Sequence, residues 1–185
     1  MKYLILPLTA LVLACNGDKE TDSAESAFVP TEGSWSPDDS SYVSDGCNIA
    51  SNPIFSIAAV DAIVYTLALT SDTTGTLAIA DGEPFDCTLS DMTMTCSTTL
   101  TNEVDTYNDS DGNPVVDENG ETVDPDATIT SEGVIAVTFS DAETGTYVAT
   151  ITGTCEGADC DPVQESLGAN GNPCTSEISG DFVME

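Results

Sequence analysis

The chain has 185 residues, with 33 acidic side chains against two basic ones, Lys2 and Lys19, and its formal net charge is −31 at pH 7. Such a composition excludes a surface that neutralises phosphates, so it argues against nucleic acid as a partner and leaves cations and cationic partners open. The length provides for one domain plus a tail, and the apolar fraction of 40% is sufficient for a core.

The amino terminus is typical of an export signal. After Lys2 an apolar segment, residues 4–14, is too short to cross a bilayer as a helix, which favours a signal peptide. The end of this segment and the cysteine after it read VLAC, residues 12–15, and the sequence that follows is polar. This stretch resembles the lipobox of bacterial lipoproteins, although Leu13 is bulkier than the usual residue. The resemblance implies that Cys15 becomes the first mature residue and carries fatty acyl groups such as palmitate. An ordinary signal peptide, with Cys15 in a disulfide, is the alternative.

This interpretation divides the chain into three parts: a lipoprotein signal peptide over 1–14, a lipidated acidic tether over 15–32, and a single β domain over 33–185. The tether is rich in Asp, Glu, Ser and Thr, a composition typical of a flexible linker. We therefore expect an exported, monomeric protein held to the cell envelope by its lipid. Asn16 follows the cysteine, and by analogy with lipoprotein sorting the absence of Asp there favours the outer membrane.

The six remaining cysteines predict three disulfides, because their number is even and the chain is exported. One pair follows from local pattern: in FDCTLSDMTMTC the apolar residues alternate on both sides of a turn over 90–93, which sets Cys87 opposite Cys96. The pairing of the other four stays open, although they should tie the first strand region to the carboxyl-terminal segment. These four are Cys47, Cys155, Cys160 and Cys174. A zinc site is the competing reading, but the chain has no His.

The domain reads as all-β. Alternating or β-branched runs occur over 63–69, 76–80, 134–140 and 146–155, and turn residues separate them at short intervals. A short helix is predicted over 161–168, with Asp161 as its cap and Gly168 just past its end, followed by a last strand. The pattern predicts an antiparallel meander of about eight strands, either a barrel or a sandwich, that is cross-linked by disulfides.

The start of the domain bears a second resemblance. The triplet Gly33-Ser34-Trp35, followed by a meander, a helix and a last strand, is similar to the lipocalin and calycin-like barrels. The resemblance implies a barrel that carries a small apolar ligand. The Arg that lipocalins pack against this Trp has no counterpart here, since the chain contains no Arg. In the alternative interpretation Trp35 is a core plug, that is, a buried side chain that fills the interior of the domain.

The most acidic part of the domain, residues 106–126, resembles a calcium loop. Asp109, Asp111, Asp117 and Glu118 are its candidate ligands, since closely spaced carboxylates around a Gly can wrap a hard cation. The alternative is a surface hairpin with a two-residue Asn-Gly turn that pairs Val116 with Val123. Apart from Ca²⁺, no cofactor is indicated.

Catalysis has little support in the sequence. With no His in the chain, a Ser nucleophile lacks its usual base, and acidic side chains this numerous do not single out a catalytic pair. We therefore expect no enzyme but a lipid-anchored envelope protein with a binding or structural role. The alternatives are a lipocalin-like carrier, a carboxylate-dependent hydrolase and a calcium-dependent surface adhesin.

Overall fold

The computed structural model describes residues 28–51, 55–80, 82–105 and 113–185, and these form a closed barrel of eight antiparallel strands. The strands are β1 (Gly33–Asp45), β2 (Tyr65–Ser71), β3 (Thr74–Ile79), β4 (Phe85–Ser90), β5 (Thr93–Glu103), β6 (Thr128–Phe139), β7 (Thr144–Glu156) and β8 (Cys174–Met184). A 3-10 helix (Ile49–Ser51) and the short helix α1 (Ile57–Val60) connect β1 to β2, and helix α2 (Cys160–Leu167) connects β7 to β8. Each strand pairs with its neighbours in sequence, and β1 pairs with β8 to close the barrel. The predicted all-β meander is confirmed, and of its two forms the barrel is correct.

The local predictions are largely confirmed. Cys87 pairs with Cys96 in the β4–β5 hairpin, as the alternation predicted. Helix α2 ends at Gly168, which adopts the left-handed conformation with φ of 69° that suits glycine. The predicted cap is wrong, because the N-cap is Asp159 and Asp161 lies within the first turn. The helix begins earlier than expected because Cys160 is tied to the end of β7 by a disulfide to Cys155.

The hairpin predicted in the acidic segment forms with a different register. Val116 bridges to Thr122 and not to Val123, so the loop holds three residues instead of two. The Asp117 carboxylate accepts hydrogen bonds from the backbone N–H of Asn119 at 2.8 Å and from the N–H four residues after itself at 3.0 Å. Because this side chain satisfies the backbone of a wider turn, it favours the longer loop over the two-residue one.

The two ends of the barrel differ. At the end where β1 and β7 begin, residues 28–32 cross the opening: the Thr31 N–H donates to the Ala142 carbonyl at 2.9 Å, and the Phe28 and Phe139 rings lie 5.4 Å apart. We call this the closed end. The opposite end, where β1 and β7 finish and β6 and β8 begin, we call the mouth. There β5–β8 and β1 extend past the shorter strands β2–β4.

Packed side chains fill the interior near the closed end. The indole of Trp35 is fully buried, stacks on Phe182 with ring centroids 5.3 Å apart, and meets Phe139 edge to face at 5.6 Å. Its Nε1–H donates to the Thr31 carbonyl at 2.9 Å, which satisfies the polar atom in the core. Further fully buried side chains are Leu67, Leu77, Met94, Val137 and Cys96. The reading of Trp35 as a core plug describes what this residue does in the barrel.

Three disulfides connect the barrel at different ranges. Cys47–Cys174 spans 127 residues and joins the segment after β1 to the start of β8, beside the seam that closes the barrel. Cys87–Cys96 spans 9 residues within one hairpin, and Cys155–Cys160 spans 5 residues between β7 and α2. The expectation that the first strand region is tied to the carboxyl-terminal segment is therefore confirmed for Cys47. It is wrong for Cys155, whose partner is local.

Salt is expected to stabilise the fold. No basic side chain lies within the described ranges, because Lys2 and Lys19 both precede residue 28, so the acidic groups there repel one another without ion pairs. The Debye length falls from about 30 Å at 0.01 M to about 8 Å at 0.15 M salt. We therefore expect the melting temperature to rise with NaCl, most steeply below about 0.2 M, in a calorimetric titration. A melting temperature that is flat across this range would contradict the prediction.

Alkaline pH is expected to destabilise the barrel through Tyr65. Burial, with a smaller contribution from Tyr147, raises the pKa of Tyr65 from 10.0 to about 12. The stabilising contribution of the neutral phenol is thus complete below pH 10 and is lost as pH rises through about 12. We expect Tyr65→Phe to reduce the loss of unfolding free energy over this window by about 2 kcal/mol. Burial also raises the pKa of Tyr147, so more than one tyrosine should titrate late in the absorbance of the unsubstituted protein. Tyr65→Phe should remove the group that titrates near pH 12, and an unchanged titration curve would refute the assignment.

Candidate functional site at the barrel mouth

A pocket of about 380 Å³ opens at the mouth. Its volume lies at the lower end of the range of small-molecule sites in proteins, about 300–1,000 Å³. Three parts of the structure build it: the inner face of the extended strands, the segment after β1, and helix α2 with Ala169 just beyond it. The lining residues include Ile129, Ser131, Gly153, Cys155, Cys174, Cys47, Asn48, Ile49, Phe55, Gln164, Ser166, Leu167 and Ala169. We call this the mouth pocket.

The floor of the mouth pocket is the continuation of the barrel's inner face. On β6 the inward positions Phe139, Val137 and Ile135 are buried, and the same alternation brings Ser131 and Ile129 inward at the mouth. Ser131 pairs across the ladder with Gly153 of β7. The floor thus changes from bulky apolar side chains in the core to a hydroxyl and a glycine at the mouth, and this change leaves space.

Gly153 is required by the close approach of a disulfide. A Cβ at this position would lie 3.0 Å from Cys174 Sγ and 3.8 Å from Cys47 Sγ. Both cysteines also line the pocket. The absence of a side chain on Gly153 therefore lets the Cys47–Cys174 disulfide sit against the inner face of β7, where it forms one wall.

The 3-10 helix is fixed to the rim by Asp45. This carboxylate accepts from the backbone N–H groups of Ile49 at 2.8 Å and Ala50 at 3.1 Å, and from the hydroxyl of Ser176 at 2.8 Å. Ser176 in turn accepts from the Cys47 N–H at 3.0 Å. The network connects the end of β1, the start of the 3-10 helix and β8. It therefore fixes the position of Ile49, which forms part of the pocket wall.

Helix α2 forms the opposite wall. Asn48 donates from Nδ2 to the Leu167 carbonyl at 3.2 Å, which joins the carboxyl end of α2 to the 3-10 segment. At the other end, Cys155–Cys160 ties α2 to β7. The buried Val163 side chain anchors the helix between these ends. The wall thus rests on a disulfide, one buried side chain and a side-chain hydrogen bond.

The chemistry of the pocket is uncharged and mixed. Apolar atoms come from Ile49, Phe55, Ile129, Leu167 and the two disulfides, whereas polar atoms come from Asn48, Ser131, Gln164 and Ser166. Leu167 is 51% exposed. Leu100, 47% exposed on β5, lies directly opposite Ser131 in the ladder and so shares the inner face. One half-exposed leucine, Leu167, thus lines the pocket, and another, Leu100, lies beside Ser131 on the same face of the sheet.

The residues that the sequence singled out lie in several places. All four cysteines whose pairing stayed open are at the mouth, whereas Cys87–Cys96 lies in the core. Asp117 and Glu118 lie on the exposed hairpin, and neither lines the mouth pocket. Cys15, Asp109 and Asp111 fall outside the described residues. Within the described ranges no cluster of three or more His, Cys, Asp or Glu side chains could hold a metal. The calcium site therefore stays a prediction.

Two described carboxyl groups have a lowered pKa, and both belong to turns. The Glu121 N–H, followed by the Asn119 side chain, holds the pKa of Asp117 below its ordinary value. The Glu143 N–H and the Thr144 hydroxyl do the same for Asp141. A carboxylate-dependent hydrolase needs instead an acid with a raised pKa in a cleft. These two shifts are in the opposite direction, and both groups are exposed.

Sequence reasoning missed the residues that make the pocket polar, Ser131 and Gln164. One signal was available: in TITGTC, residues 150–155, a glycine follows the larger residues Ala149 and Ile151 at the inward positions of the strand. A glycine in a strand interior often marks a close approach of other atoms. The residues that approach this glycine could not be identified without the strand register.

Comparisons with known proteins give no relative for this chain. No protein-family model matches it, and searches of curated proteins and of solved structures found no match. The class of protein is therefore defined by its architecture alone, a disulfide-bonded eight-stranded antiparallel barrel with a pocket at one end. Among the described residues, none of the helices has the length and apolar character needed to cross a bilayer.

Proposed function

We propose that this protein is a lipid-anchored protein of the cell envelope, held in the outer membrane, whose barrel binds a small molecule in the mouth pocket without transforming it. The observation that carries the proposal is the pocket itself, a preformed space of about 380 Å³ with apolar walls and a few convergent polar groups. Such a combination is the usual form of a small-molecule site.

The lining supports binding over catalysis. Among the described residues that line the pocket, none carries a carboxyl, amino or imidazole group, and its cysteines are held in disulfides. General acid–base chemistry needs a titratable side chain within hydrogen-bond reach of the substrate. The lining offers instead amides, hydroxyls and apolar surface, which orient and enclose a ligand.

The location of the site differs from that expected of a carrier with a central cavity. The interior near the closed end is occupied by the stacked rings of Trp35 and Phe182 and by fully buried aliphatic side chains. The space lies above this packing, at the mouth. A ligand would therefore contact α2 and the 3-10 helix as well as the strands.

The first described residues of the chain and the pocket lie at opposite ends of the barrel. Residues 28–32, where the tether meets the barrel, cross the closed end, and β1 then runs 13 residues to the mouth. With tilted strands this corresponds to roughly 30 Å along the barrel axis. A barrel held through Cys15 thus joins its tether at the closed end, away from the mouth pocket.

Binding is testable with the neutral dye N-phenyl-1-naphthylamine. The sample is the mature chain with Cys15→Ser, so that neither acyl chains nor detergent compete for the dye. We expect saturable binding at one site, and we expect Ser131→Trp to weaken it at least about tenfold because the indole fills the pocket. The control is Val134→Trp, on the outer face of the same strand.

Two outcomes would overturn the binding proposal. One is the absence of saturable binding to the unsubstituted barrel. The other is an equal loss of affinity in Ser131→Trp and Val134→Trp, both of which should first be shown to melt as folded proteins. Equal loss would place the dye elsewhere on the surface.

The anchor is tested by the intact mass of the exported protein. We expect loss of residues 1–14 together with added mass from acyl chains on Cys15, since two or more chains anchor a protein stably. The Cys15→Ser variant should be released from membranes. A mature protein that lacks residues 1–14 and carries no lipid would refute the anchor and leave the pocket proposal intact.

A further inference from the structure

We infer that the ligand of the mouth pocket is an uncharged amphipathic small molecule, and that the protein's own charge weakens the binding of anionic molecules of the same shape. This inference rests on the proposed binding function and names the class of ligand. It is carried by two observations on the described residues: the neutrality of the pocket, and the acidic side chains that surround it.

The pocket is a neutral region in a strongly negative molecule. The chain carries 33 acidic residues, yet the lining consists of apolar, hydroxyl and amide side chains and disulfides. Acidic residues adjoin lining residues along the chain: Glu165 follows Gln164 on α2, and Glu132 and Glu156 follow Ser131 and Cys155 on the strands. Asp159 and Asp161 flank Cys160 at the start of α2. A ligand therefore reaches a neutral site through a negative potential.

Negative potential without a compensating cation disfavours anionic ligands. A carboxylate or sulfonate in the pocket would lose hydration and find no Lys, Arg or His among the described residues to replace it. Fatty acids and other amphiphilic anions should therefore bind more weakly than neutral molecules of similar shape. A neutral molecule loses no charge hydration, and the surrounding field leaves it unaffected to first order.

The polar groups of the pocket specify what the neutral ligand must offer. The hydroxyl of Ser131 and the side-chain amide of Gln164 make no hydrogen bond to another described residue, so both can bind a ligand. A hydroxyl both donates and accepts, and so does an amide. The ligand class is therefore a molecule with an apolar part set against Ile49, Phe55 and Leu167, and one hydroxyl or carbonyl directed to the floor.

A matched pair of dyes tests the charge selection. N-Phenyl-1-naphthylamine is neutral, and 1-anilinonaphthalene-8-sulfonate is the same scaffold with a sulfonate. With the mature Cys15→Ser chain at low salt, we expect the sulfonate to bind at least about tenfold more weakly than the neutral dye. At 1 M NaCl the Debye length is about 3 Å, so the ratio of the affinities of the neutral dye and the sulfonate should fall severalfold. The affinity of the neutral dye itself should stay within about twofold.

One substitution should offset the selection against the sulfonate. Gln164→Lys adds a cation to the lining, and we expect it to raise the affinity for the sulfonate at least about tenfold at low salt. Thr95→Lys, exposed on the outer face of β5, makes the same change in net charge away from the mouth and should raise that affinity much less. This comparison separates a local effect of the pocket from the effect of total charge.

The outcomes distinguish the two proposals. If neither dye binds saturably, the proposed binding function fails. If both dyes bind the unsubstituted barrel equally at low salt, or if Gln164→Lys and Thr95→Lys act alike, binding stands and the charge selection is overturned.

Discussion

Removal of the Cys47–Cys174 disulfide is expected to lower the free energy of unfolding by about 4–5 kcal/mol, the largest loss among the three disulfides. The bond closes a loop across 127 residues, and the entropy it removes from the unfolded chain grows with loop length. It also lies beside the β1–β8 seam, where the ends of the sheet meet. The measurement is denaturant unfolding of the oxidised double variant C47A/C174A.

The other two disulfides provide the matched controls. By the same loop-entropy relation, the free energy of unfolding should fall by about 2.7 kcal/mol in C87A/C96A and by about 2 kcal/mol in C155A/C160A, because these bonds span 9 and 5 residues. A loss in C47A/C174A no greater than that in C155A/C160A would contradict the argument. Dye binding should also respond differently: we expect C87A/C96A to retain it, since its disulfide lies in the core away from the lining.

Substitution of Trp35 by Ala is expected to cost about 3–5 kcal/mol, because it leaves a cavity where a fully buried indole stood. The stacking on Phe182 and the edge contact with Phe139 are lost with it. So is the hydrogen bond to the Thr31 carbonyl, which holds the segment across the closed end. Thermal and denaturant unfolding report the loss.

Two companion variants make the result interpretable. Trp35→Phe should cost less, since a ring still fills most of the space while the Thr31 carbonyl loses its partner. Val43→Ala, on the same strand but 59% exposed, should change stability by no more than about 0.5 kcal/mol. If Trp35→Ala cost no more than Val43→Ala, the residue would not be the core plug that its packing indicates.

The parts of the fold that were predicted correctly depend on local pattern. Cys87 and Cys96 lie in one hairpin, where alternation and a short turn determine which residues face each other. Helix α2 was found because Pro162 suits the first turn of a helix and Gly168 suits the position just past its end. The register of the acidic hairpin was wrong, because the Asp117 side chain stabilises a wider turn than the Asn-Gly pair alone favours.

The mouth pocket could not be predicted in the same way. Its lining comes from the segment after β1, from β6, β7 and β8, and from α2, which are far apart in sequence. Ser131 and Gly153 face each other because of the register between β6 and β7, and the turn of that hairpin sets this register. The same register decides whether both residues face inward. Whether that face is open or covered depends on where α2 packs.

By itself the amino-acid sequence determined the all-β meander, one disulfide and the extreme negative charge, because alternation, turn residues and composition act over a few residues or over the whole chain. The lipobox-like residues likewise predict an anchor at Cys15. Only the tertiary structure decided that the sheet closes, with β1 against β8, and that Cys47 joins Cys174. It also placed a neutral pocket within an acidic molecule, since long-range pairing and strand lengths decide which side chains share a space.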